Sequence, residues 1–272
     1  MNYILFDGPQ RQNLLPLTFT RPVAEFRIGI TTLKEKWELL LNHKLSFITE
    51  DYLSKKYPIK KGEDNILINA AVLPDENLLK EILNLQIDES LQSSTTLIAS
   101  RIRGDFDKLK IPVGNIKEYN SEIDLIENTW DIFSKNDKYL KLDFERITSG
   151  RKSSTISDTN FIIGDKDLIF MEEGAKAEYV YFNTNNGPIY IAKDAEVMEG
   201  SKIRGPFALC EHSTLKMDAK VYGATTIGPH CKVGGELNNV VFFGYANKAH
   251  DGFLGNAVIG EWCNLGADTN NS

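Results

Sequence analysis

Apolar and polar positions follow two different rhythms along this chain. In the first half, short apolar runs alternate with stretches of helical spacing. Tyr3–Phe6, Leu45–Thr49, Ile66–Asn69 and Thr96–Ile102 read as buried strands. Ile30, Leu33, Trp37, Leu40 and Leu41 predict a helix over Ile28–Leu41. Pro74-Asp75 opens a second helix through about Leu85, with Leu78, Leu79, Ile82 and Leu83 on one face. Strand–helix alternation of this kind predicts a small parallel sheet covered by helices. A further helical pattern runs over Asp124–Ile147, and Thr148–Ser154 reads as the joint after it.

The second half has a period of six. Ile191, Val197, Ile203, Leu209, Leu215, Val221, Ile227 and Val233 follow one another at that spacing without a miss. Four residues after each comes Ala195, Ser201, Phe207, Ser213, Ala219, Thr225, Cys231 and Leu237, most of them small. A six-residue step that makes one flat strand and one corner turns every sixth side chain into a narrow core. The pattern therefore predicts a left-handed parallel β-helix of hexapeptide repeats, an exception to the usual right-handed crossover. The rhythm starts weakly at Ile163 and Ile169, breaks at Asn183–Pro188, lapses between Asn239 and Phe253, and resumes at Ile259 and Leu265. Asn183–Pro188 and Gly244–Gly252 are read as excursions, where function tends to concentrate. Residues 1–123 are thus expected to form an α/β domain, 124–154 a helical linker, and 155–272 a β-helix incomplete at its C-terminal end. The repeat still runs at LGADTNNS, so a truncated form that can be inactive is expected, with a partner chain over the open end as the alternative.

Composition sharpens this division. Six of the 20 glycines fall in residues 1–150 and fourteen beyond, where corners need unusual backbone angles. The chain carries 31 basic and 38 acidic side chains for a net charge of −7. Neither half is basic, so no nucleic-acid partner is expected. No apolar run suits a membrane span and MNYILFDGPQ is no signal peptide. Cys210, Cys231 and Cys263 lack metal-ligand spacing and read as thiols of a reducing, cytoplasmic compartment.

Ligands of α/β sheets gather beyond the carboxyl ends of strands, which singles out the loop holding Asp7, Arg11 and Arg21. The two arginines suit phosphate oxygens or pairing with local carboxylates such as Glu25. No G-x-G-x-x-G or G-x-x-x-x-G-K-[ST] loop is present. In the second half, Lys248-Ala249-His250-Asp251-Gly252 offers a histidine that is either a general base, with Asp251 beside it, or a solvated surface residue. His212 and His230 fall at coil corners, and His43 follows a helix C-terminus.

KAHDGFLGNAVIGEWCNLGADTNNS, from Lys248 onward, resembles the acetyltransferase domain of the bacterial bifunctional N-acetylglucosamine-1-phosphate uridyltransferase family. There K-A-x-H precedes an aromatic, L-G, I-G and N-[IL]-G-A-x-T in the same order. With LLPLTFTRPVAEFRIGITTLKEKW from Leu14 to Trp37, the whole chain looks like a divergent bacterial branch of it, akin to glucose-1-phosphate thymidylyltransferase-like proteins. The resemblance implies that His250 deprotonates a sugar amine attacking acetyl-CoA, and that Lys248, Asp251, Phe253 and Asn264 contact substrate. Phe253 stands where the family has a tyrosine, and Tyr222 and about Val240 where it has phosphate-binding cations; Lys216, Lys232, Lys248 or Arg204 are candidate replacements.

The resemblance also implies nucleotidyl transfer from a nucleoside triphosphate to a sugar phosphate on the N-terminal domain. That chemistry would use Mg²⁺ with Asp7 as a ligand, and Arg11 and Arg21 on phosphates. Leu5-Phe6-Asp7-Gly8-Pro9-Gln10-Arg11 departs from the family's glycine-rich nucleotide loop, because proline brings no N–H. The chain is therefore expected to be a sugar-nucleotide transferase, forming a homotrimer through its β-helix. The alternative is a non-catalytic sugar-nucleotide-binding or assembly protein.

Overall fold

A computed structural model describes every residue except Leu109 and Ser272. The chain divides into two compact units. The first holds Met1–Phe26 and Thr32–Thr129; the second holds Arg27–Thr31 and Trp130–Ser272.

The first unit is built on β1 (Asn2–Phe6), α1 (Leu33–Leu41), β2 (Ser46–Ile48), β3 (Asp64–Asn69), α2 (Glu76–Leu83), β4 (Glu89–Ser93), β5 (Thr96–Arg103) and β6 (Asn115–Glu118). Their order in the sheet is β2-β1-β3-β5-β4-β6. β1 pairs parallel with β2 and β3, and β4 pairs parallel with β6, as an α/β sheet requires. β5 is the one reversed strand, antiparallel to both β3 and β4. The cause is local: only Ser94 and Thr95 separate β4 from β5, and so short a link can close only an antiparallel hairpin. Ser94 takes a left-handed backbone with φ 51, as such turns demand.

α1 begins at Leu33, five residues later than its apolar spacing suggests. Thr32 caps it, accepting from the Glu35 N–H while the Glu35 carboxylate accepts from the Thr32 N–H. Trp37 is fully buried and donates through Nε1 to the Val72 carbonyl at 3.1 Å. Residues 124–126 are not helical. Leu73 and Ile126 N–H groups donate to Asp124 and Ala71 carbonyls, zipping this piece onto the chain that leaves β3. The helical pattern is realised in α3 (Thr129–Ser134) and α4 (Asn136–Thr148).

The second unit is the left-handed β-helix, about six coils over residues 161–259. One face stacks Phe161–Ile163, Tyr181–Asn183, Lys202–Arg204 and Lys220–Val221; a second stacks Ile169–Met171, Ile189–Ile191, Phe207–Leu209 and Thr225–Ile227. The strands Glu236–Phe242 and Phe253–Ile259 continue both. The third face stacks Lys176–Ala177, Glu196–Val197, Thr214–Leu215, Lys232–Val233 and Asn247–Lys248.

All eight apolar residues of the six-residue series, and all eight that follow them by four, are buried. The small ones include hydroxyls that would be costly inside a dry core. Ser201 and Ser213 are satisfied by donating to the Lys216 and Gly228 carbonyls. At the weak start of the rhythm the inward residue is Ile162, paired with the buried Phe182, and Ile163 faces out.

Gly244–Gly252 is not an excursion, because the coil runs straight through it. Thr214 pairs with Lys232 eighteen residues on, whereas Lys232 pairs with Asn247 only fifteen on. The fifth coil is shortened at two corners, through Gly234-Gly235 and through Asn239, whose φ is 58. Inward positions therefore fall at Val233, Leu237, Phe242, Lys248 and Leu254, and the even count is lost. Asn183–Pro188 is an excursion of modest size: Tyr181 pairs with Lys202 twenty-one residues on, where Lys202 pairs with Lys220 eighteen on, and the extra three residues lie at this corner.

The strap Arg27–Thr31 and α4 lie on the second face. Ile30, Leu140 and Phe144 pack with Phe170, Tyr190, Ala192, Ala208 and Ala224, and the three alanines let the helix come close. Thr226 Oγ1 donates to the Gly29 carbonyl at 2.9 Å, and Asn136 Nδ2 to the Ala224 carbonyl at 3.0 Å. Asp143 Oδ2 accepts from the Ile30 and Thr31 N–H groups. Gly29, with φ +70, meets the Tyr139 carbonyl so closely that a Cβ would sit 2.6 Å from it.

Candidate functional site

In the first unit, β1, β2 and β3 end together, and that end holds Asp7 and Thr49 in the loops and Asn69 as the last residue of β3. Asp7 is spent on the fold. Its Oδ2 accepts from Arg11 at 2.8 Å and from Thr49 Oγ1 at 2.6 Å, while Oδ1 accepts from the Val23 N–H at 2.8 Å. Arg11 is buried as well, donating to the Thr18 carbonyl at 2.6 Å and to Tyr52 at 3.0 Å. Burial pushes the Asp7 carboxyl above its usual range, against the pull of Thr49, Val23 and Arg11. A carboxylate so engaged does not fit the Mg²⁺ ligand expected of it. Among the described residues no group of three or more His, Cys, Asp or Glu could hold a metal ion.

Arg21 is buried too, its carbonyl near Arg11. The two arginines thus sit inside the loop rather than on an open phosphate site. Gly8 lies against Gln10 and Asn69, where a Cβ would come within 3 Å of both side chains. The loop is packed as short 3₁₀ turns over Pro9–Gln12, Leu17–Phe19 and Val23–Glu25, consistent with the missing glycine-rich pattern.

In the second unit His250 and Asp251 sit at the corner after Asn247–Lys248. They line a cavity of about 630 Å³ together with Lys216, Met217, Gly235, Ala249, Ala267 and Asp268. That is the size of a small-molecule site. No hydrogen bond or ion pair joins the Asp251 carboxylate to the His250 ring among the described residues. Asp251 is therefore a neighbour in the cavity and not an orienting partner.

Lys248 is the largest departure from expectation. It faces inward, fully buried, in the column position held by Val233 one coil earlier. It is not among the residues lining the His250 cavity. Its ammonium donates to the carbonyls of His250 at 2.9 Å, Asp251 at 3.3 Å and Gly234 at 3.4 Å. Burial holds its pKa below the ordinary lysine value, opposed by Asp251 and Asp268. The lysine pins from beneath the turn that presents His250. Restarting the six-residue count at Phe242 places Lys248 and Leu254 inward, a signal present in the sequence.

The other expected site residues scatter. Phe253 packs over Gly255 and pairs with Glu236 on the first face, and Asn264 is exposed, bridging Asn247. Neither lines the His250 cavity. Of the four candidate phosphate cations, Lys216 is in that cavity, Lys248 is in the core, Lys232 is exposed on the third face, and Arg204 lines a separate cavity on the first. Cys210 and Cys231 are buried, and burial pushes the Cys231 thiol up to about 11, which makes it inert at neutral pH. Among the described residues no helix is long and apolar enough to cross a membrane.

No curated protein is significantly similar to the chain. Residues 3–152 match a family model described as sugar nucleotidyl transferase. The match spans the first unit, the strap and both helices α3 and α4, and stops just short of the first coil. It covers more than half of the chain, and on that basis the chain belongs to the sugar nucleotidyl transferase family.

Proposed function

We propose that this sugar-nucleotide transferase N-acylates an amino sugar phosphate in the His250 cavity, with acetyl-CoA as acyl donor. The observation that carries the reading is the meeting of a histidine and a lysine, His250 and Lys216, in one cavity of about 630 Å³. Neutral His250 takes the proton of the sugar amine as its nitrogen attacks the thioester carbonyl. The C–N bond forms, the C–S bond breaks, and the imidazolium returns its proton to the departing thiolate. Lys216 pairs with the sugar phosphate, the role of the cations replaced at Tyr222 and Val240. The buried Lys248 fixes the backbone of the turn. Assembly as a homotrimer through the β-helix is part of this reading and is measured by sedimentation equilibrium. Thiol release with amino sugar phosphates and acetyl-CoA tests the chemistry. His250→Ala is expected to lower the rate about 10²–10⁴-fold, as loss of a general base does; equal rates overturn the assignment.

Family membership favours a second reading, nucleotidyl transfer from a nucleoside triphosphate to a sugar-1-phosphate on the first unit. Asp7, engaged by Arg11, Thr49 and the Val23 N–H, does not fit the part of a Mg²⁺ ligand in that reaction. The measurement is pyrophosphate release in a screen of nucleoside triphosphates and sugar-1-phosphates in Mg²⁺ buffer. Release with any pair supports the reading, and none across the screen favours a binding or assembly role for this unit.

A further inference from the structure

The first face of the β-helix carries a second cavity, of about 420 Å³, lined by Ile163, Tyr181, Asn183, Lys202, Ile203, Arg204, Lys220, Val221 and Tyr222. Its lining holds three cations and two tyrosines but no carboxylate. Strand register fixes their layout. Tyr181, Lys202 and Lys220 follow one another on successive coils in one outward row. Arg204 stands two residues along from Lys202, and Tyr222 two residues along from Lys220. With coils about 4.8 Å apart and side chains of one face about 6.8 Å apart along a strand, the cations form a compact triangle. The two tyrosines flank it at opposite corners, about 12 Å apart by the same spacings.

The cations are only lightly engaged. Lys220 lies 4.0 Å from Glu236, at the limit of an ion pair. Lys202 donates to the Gly200 carbonyl and lies 5.6 Å from the Tyr181 ring centroid. Arg204 has no ion pair among the described residues. All three are exposed, as are both tyrosines.

A triangle of cations matches a diphosphate, whose oxygens accept from forked guanidinium and ammonium donors. The Tyr222 ring matches a flat group at one end of that diphosphate, and Tyr181, stacked on Phe161 at 4.7 Å, leaves its hydroxyl for a sugar at the other. We infer that this face binds a sugar nucleotide, with the diphosphate on Lys202, Arg204 and Lys220, and the base and sugar on the two tyrosines. The site shares no lining residue with the His250 cavity. It goes beyond the acylation reading and stands without it.

The experiment uses the whole chain with UDP-glucose and dTDP-glucose, and with UDP and inorganic pyrophosphate as shortened probes. Tyr222→Trp places a local fluorophore at the cavity, and calorimetry gives the affinity. Sugar nucleotides are expected to change its fluorescence and to bind at least tenfold more tightly than pyrophosphate. The pair Lys202→Ser and Arg204→Ser, both exposed and outside the core, is expected to weaken that binding at least tenfold while thermal unfolding stays unchanged. Undiminished affinity in the double variant overturns the site, as does a sugar-nucleotide isotherm that leaves the Tyr222→Trp signal unmoved. Equal affinity for pyrophosphate overturns the sugar-nucleotide assignment in favour of a bare anion site. Lys216→Ala, in the other cavity, is expected to leave this binding intact, which separates its outcome from that of the acylation reading.

Discussion

The two units treat buried charge in different ways. In the α/β unit, Asp7 and Arg11 lie together among loops, each answering the other and their neighbours' hydroxyl, carbonyl and N–H groups. In the β-helix, Lys248 has no carboxylate within ion-pair distance among the described residues, and three backbone carbonyls receive it instead. A loop can gather complementary side chains from several segments, whereas an inward column of a coil meets only its own column and the corners. A charge survives there only where a corner turns its carbonyls inward. The difference teaches where chemistry is available: the loop's candidates are consumed by folding, while the coil's core lysine leaves His250 and Lys216 free to line a cavity.

The largest effects should come from breaking each arrangement at its centre. Asp7→Ala takes from Arg11 its 2.8 Å carboxylate, leaving it only the half-exposed Glu50 at 3.5 Å, and leaves the buried Val23 N–H without an acceptor; it is expected to cost about 3–5 kcal/mol. Phe207→Ala empties a fully buried site of the coil core and should cost a similar ~3–5 kcal/mol. Chemical denaturation of both variants reads these losses. If Asp7→Ala is neutral, the loop network is not structural and the contrast fails.

Lys248→Met sharpens the comparison from the other side. Methionine takes the donor away from three inward carbonyls and is expected to cost about 1–3 kcal/mol, as leaving buried acceptors unmet does. A pH series adds a signature. A lysine whose folded pKa is depressed burdens the fold while charged in both states, and the burden lifts as pH rises from the folded pKa toward the unfolded value near 10.5. The parent protein should therefore gain stability over that alkaline window relative to Lys248→Met. A constant difference across it would remove the buried ammonium from the account.

The smallest effect belongs to the half-exposed pair of Asp64 and Arg101, joined at 2.7 Å. The Arg101 guanidinium holds the Asp64 carboxyl below its usual range. Its contribution is present above the unfolded carboxylate pKa and is lost as pH falls through the folded one. Asp64→Asn should cost less than about 1 kcal/mol near neutral pH, and the deficit should vanish in acid. A larger cost would mean that the pairing of the two central strands, like the Asp7 loop, depends on a specific ion pair.

Much of this fold is visible in the residue pattern, for physical reasons that also mark its limits. Sixteen core positions of the coils can be counted because each six-residue step repeats one environment. The count fails after Val233 because the corners at Gly234-Gly235 and then at Asn239 are spanned by fewer residues than those before them. That lapse hid the inward Lys248 and made a continuous coil look like a loop. β4 and β6 were not legible: ESLQS and NIKE carry little apolar signal, and β6 is exposed throughout. For the site, His250 and Lys216 could be named as candidates, but their shared cavity depends on coil stacking. Asp7 and Arg11 could be named too, yet only folding shows that they answer each other.

The strap has a consequence for the order in which the protein is made. Arg27 donates to the Phe243 carbonyl across 216 residues, and Gly29 accepts from Thr226 across 197. At about 5–20 residues per second, a ribosome needs roughly 10–40 seconds to deliver those partners after the strap has emerged. For that interval Arg27–Thr31, flanked on both sides by segments of the first unit, lacks its partners on the coils, and Asn136 and Asp143 of α4 are the first to reach it. The α/β unit must therefore tolerate a stretch whose coil partners are still to be made, and the contact of Arg27 with Phe243 reaches back across 216 residues.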